Sequence, residues 1–130
     1  MNTVEKPNML KLLAGAEALG EMVRAIESDD KTVCLKDLVG GALSAYAAGL
    51  IARVGGLHLF VAEDRDAAAY LMNDLYGLLD ESRIYFFPTS YKRSIVYGTE
   101  DPQGIVQRTA ALNALRGELP TGDYLVVCTY

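Results

Sequence analysis

Four short apolar runs recur along this chain, at residues 32–38, 57–62, 84–87 and 124–128, and between successive runs the apolar residues return at helical spacing. Runs of this length bounded by turn residues read as strands. Strands separated by whole helices cannot close as hairpins, so each must cross over and pair in parallel, with right-handed connections. The pattern therefore predicts β-α-β-α-β-α-β: a three-layer α/β domain with a parallel sheet of about four strands and helices on both faces. With 130 residues there is room for one such core and not for two. In sheets of this kind ligands collect beyond the carboxyl ends of the strands. Here those ends are residues 37–41, 63–66, 88–93 and 129 onward, so the mouth is acidic at two of its four points.

The first of these ends has the layout of a phosphate loop: a strand, the Gly40-Gly41 turn, then a helix from about Ala42 to Arg53. A working loop of this type needs G-x-x-x-x-G-K-[ST], because glycines let backbone N–H groups wrap the phosphates, the lysine neutralises them and the hydroxyl holds magnesium. In this chain Asp37 takes the first glycine's place, Ala42 the second's and Leu43 the lysine's, and only Ser44 keeps its type. A carboxylate at the mouth and an apolar residue in place of the cation oppose a polyphosphate. The turn is expected not to bind ATP. The only cation beside it, Lys36, precedes the turn on the strand.

Taken in order, residues 1–8 are polar and expected to be flexible, and residues 9–130 form the domain. Met9, Leu12, Leu13, Ala16, Leu19, Val23 and Ile26 follow helical spacing up to Ser28, with Gly15 and Gly20 weakening the pattern. The helix after the glycine turn is apolar almost all round and should be covered on several sides, ending at Gly55-Gly56. The run at 57–62 is nearly continuous in apolar character, as expected of a strand buried on both faces. His58, the single histidine, lies in it without a nearby Ser, Cys or Asp pattern and reads as a packed or rim residue. Glu63, Asp64 and Asp66 open a helix whose core face is Ala67, Leu71, Leu75, Leu78 and Leu79; carboxylates at a helix start cap N–H groups and complement the dipole. Pro88 stops the third strand. Asp101-Pro102 supplies a cap and a first-turn proline for a helix with Ile105, Thr109, Leu112 and Leu115 toward the core and Gly117 at its end.

Composition narrows the function classes. The net charge of −5 argues against a broad nucleic-acid footprint. A local one remains at Tyr91, Lys92 and Arg93, where an aromatic beside two cations can stack bases and touch phosphates. Cys34 and Cys128 lie in apolar runs and read as two buried thiols in a reducing cytoplasm. No Cys/His spacing suggests a metal, the N-terminus lacks the pattern of a signal peptide and no run approaches the length of a membrane span, so a cytoplasmic protein without membrane contact is expected.

Residues 38–44, 59–71 and 86–93, followed by 107–115 leading into 125–129, resemble in order and spacing the N-terminal region of the bacterial transcription-repair coupling factor. The resemblance covers about residues 10 to 130. That region is similar to the B subunit of the excision nuclease and to helicase-type P-loop domains, and in the coupling factor it has lost ATP binding, in agreement with Asp37, Ala42 and Leu43. The resemblance implies a non-catalytic module of nucleotide excision repair with no catalytic residue, metal or cofactor of its own. ATP and magnesium would serve the motor of the full-length protein, a DNA translocase. It also implies that the native chain continues beyond Tyr130 and that contacts with RNA polymerase and the excision nuclease A subunit lie in regions outside it. The module's own partners would be neighbouring domains of its chain. The sequence Glu63-Asp64-Arg65, where helicase-like loops offer Asn or Lys to a phosphate, makes DNA binding weak or absent. Two other readings stay open: a small nucleotide-binding or phosphotransfer enzyme using Gly40-Gly41, Ser44 and one of Glu63, Asp64 or Asp66, and a single-strand binder acting through Tyr91, Lys92 and Arg93.

Overall fold

A computed structural model describes residues 16–28, 32–89 and 101–130. Within them the chain forms α1 (Glu17–Glu27), α2 (Ala42–Val54), β1 (Gly56–Val61), α3 (Arg65–Leu78), a 3-10 turn (Glu81–Arg83), β2 (Ile84–Phe86), α4 (Pro102–Arg116) and β3 (Tyr124–Thr129). The three strands pair in parallel in the order β1-β3-β2, with Leu59 opposite Val127 and Tyr85 opposite the same residue from the other side. The crossover logic of the sequence is thus realised with β3, last of the three in the chain, at the centre.

Because side chains alternate across a strand, the register sorts the sheet into two faces. One carries Phe60, Val126, Cys128, Ile84 and Phe86, and packs on Ala47, Ala48 and Ile51 of α2 and Ala68 and Leu75 of α3. Val126, Ile51, Ala68 and Leu75 are fully buried, so this is the core. Small residues in α2 let it lie close: a side chain at Gly49 would meet Leu19 Cδ2 of α1 at 2.8 Å, and Leu19 is itself buried. On the opposite face α4 covers β2 and β3. Helices therefore lie on both faces, as expected.

Four expectations need correction. Residues 32–38 are extended and mostly exposed but pair with no strand of the sheet; the run carries strand propensity, yet propensity alone supplies no ladder partner. The run at 57–62 is not buried on both faces. It forms an edge strand in which Leu57, Leu59 and Val61 stay 59%, 64% and 70% exposed, and among the described residues no helix lies over that half of the face. On α4 the residues buried are Gly104 and Ala111, while Ile105, Leu112 and Leu115 remain partly exposed and Thr109 is exposed. The apolar stripe read as a core contact is thus only partly covered. Cys34, in the unpaired run, is exposed, whereas Cys128 in β3 is buried. A smaller shift of one residue puts Ala68 rather than Ala67 in the core.

The expected helix from Met9 is seen from Glu17 onward, and its earlier part lies outside the described residues, as do Tyr91, Lys92 and Arg93. Several local signals act as expected. Asp64 caps α3 by accepting from Ala67 N at 2.8 Å, Asp101 caps α4 by accepting from Gly104 N at 3.1 Å, and Gly55, with φ 65°, closes α2. Gly117 stands at the C-cap of α4. Past the end of β2, Phe87 N still donates to Cys128 O at 2.8 Å and Thr129 Oγ1 donates to Phe87 O at 2.7 Å, so the sheet's carboxyl end is tied beyond the last ladder pair.

Candidate functional site

The glycine turn leads into α2, and α2 returns through Gly55 directly into β1. Its amino end therefore lies toward the carboxyl ends of the strands, where a phosphate loop belongs. The turn is shaped by two left-handed residues, Asp37 at φ 62° and Gly40 at φ 58°. The first is uncommon outside glycine, and Asp is among the few side chains that tolerate it. Ala42 N donates to Val39 O at 3.2 Å and Ala45 N to Gly41 O at 3.0 Å, which spends two backbone groups inside the turn. Gly41 is the N-cap and offers no side-chain acceptor, and no acidic residue sits in the first turn.

Ser44 decides what this site can do. It is the buried polar side chain among the described residues, and its Oγ donates to Asp74 Oδ2 of α3 at 2.7 Å. The hydroxyl that a phosphate loop would hold ready for a cation instead links two helices through a half-buried bond to the exposed Asp74. Leu43, in the lysine's position, is half exposed and brings no charge. A side chain added at Gly41 would meet nothing within 4 Å, so this glycine is not kept small by a close approach of other groups. Ala42 begins the helix in the second glycine's place.

Asp74 is the residue that sequence reasoning missed. It lies three residues after Leu71 and four before Leu78, at the rim of the apolar stripe of α3, and is exposed, so its spacing alone does not single it out. The acidic group at 63–66 is used for capping, with Asp64 accepting from Ala67 N and Glu63, Arg65 and Asp66 exposed around it. His58 is held by its own turn, Nε2 lying 2.8 Å from Gly55 O. Neither is brought together with Ser44 by a hydrogen bond. Among the described residues no group of three or more His, Cys, Asp or Glu side chains is arranged to hold a metal ion, and no helix is long and apolar enough to cross a membrane.

The remaining electrostatics are structural. Arg83 pairs with Asp123, joining the entry of β2 to that of β3, and Tyr124 Oη accepts from Asp80 N at 3.0 Å. Hydrogen bonds from Ser82 Oγ and N hold the Asp80 carboxyl below its usual range. Burial pushes the Tyr76 hydroxyl up and the Cys128 thiol up to about 11. Between Leu57, Tyr85, Leu125, Leu115, Arg83 and Glu118 lies a shallow cavity of about 200 Å³, at the amino ends of the strands and away from the glycine turn.

No protein-family description, curated protein or solved structure matches this chain.

Proposed function

We propose that this chain is a non-catalytic N-terminal module of the transcription-repair coupling type, which holds neighbouring domains of a repair protein in place and does not itself turn over nucleotide. The observation that carries the reading is the Ser44 hydroxyl, the one phosphate-loop group the sequence retains, which is buried and donated to Asp74. Asp37, Ala42 and Leu43 support it by removing the two glycines and the cation that a polyphosphate requires.

Calorimetric titration of the chain with ATP and magnesium tests the absence of a nucleotide site. Binding weaker than about millimolar is expected. Tighter binding that disappears in Ser44→Ala would overturn the reading and favour a phosphotransfer enzyme built on the Gly40-Gly41 turn. The repair role is tested in the cells that encode the chain: deleting its codons in frame should remove the preference for repairing transcribed strands, and an unchanged preference would refute it.

A further inference from the structure

We draw no further inference here: the strongest candidate, the half-covered sheet face where Leu57, Leu59 and Val61 of β1 stay exposed beside the shallow cavity at the end of α4, is an apolar surface on which nothing in the structure shows what covers it.

Discussion

The two faces of this sheet are made from the same strands, yet they are finished differently. On one, Phe60, Val126, Cys128, Ile84 and Phe86 meet Ala47, Ala48 and Ile51 of α2 and Ala68 and Leu75 of α3, and the result is the buried core. On the other, a single helix covers β2 and β3, and three aliphatic side chains of β1 stay exposed. The difference does not lie in hydrophobicity, since Leu59 is as apolar as Leu75. It lies in whether one of the described helices covers the strand, so exposure here records packing and not composition.

Mutational stability is the most direct way to break that comparison. Leu75→Ala on the covered side should cost about 3–4 kcal/mol, whereas Leu59→Ala on the open side should change the monomer by less than about 0.5 kcal/mol. Denaturant unfolding at low protein concentration checks both, and equal costs would mean that the faces are not distinct. Gly49→Ala probes the packing of α1 on α2 behind the covered side. Its new methyl group would collide with buried Leu19, at a cost of about 1–3 kcal/mol. The caps should matter less and alike on either side of the sheet: Asp64→Ala on α3 and Asp101→Ala on α4 are each expected to cost about 1 kcal/mol in the same assay.

The two thiols sharpen the contrast at the smallest scale. A thiol reagent at pH 8 should label Cys34 rapidly in the native chain and Cys128 only on unfolding, as counted by mass spectrometry. The pH dependence follows. Burial raises the Cys128 pKa from 9.0 to about 11, so the folded chain holds this proton more tightly than the unfolded one. Its contribution to stability is complete below pH 9 and is lost as the pH climbs toward 11, with Cys128→Ala flattening that alkaline decline.

Much of this architecture was legible in the sequence because periodicity and punctuation agree. The α2 and α3 helices, the three strands, the caps at Asp64 and Asp101 and the glycine stop at residue 55 all follow from local pattern. The misreadings share a different cause. The run at 32–38 and the run at 57–62 look alike in composition, but one has no ladder partner and the other has one only along one edge, and pairing is a non-local property. Ile105, Leu112 and Leu115 recur at helical spacing, yet the fully buried residues of the helix are Gly104 and Ala111. At the candidate site the departures from the phosphate-loop pattern at Asp37, Ala42 and Leu43 could be read directly. The fate of Ser44 could not, since its partner Asp74 lies thirty residues away on another helix.

The strand order has a consequence for how the chain comes into being. Neither β1 nor β2 touches the other; each is paired only to β3, which follows both in the sequence. During synthesis from the amino end, the first two strands must therefore wait, unpaired and apolar, until residues 124–129 have emerged to join them. Helices can form on the nascent chain as they appear, but no part of the ladder can. The sheet is closed in a single late event, by the strand that reaches the centre last.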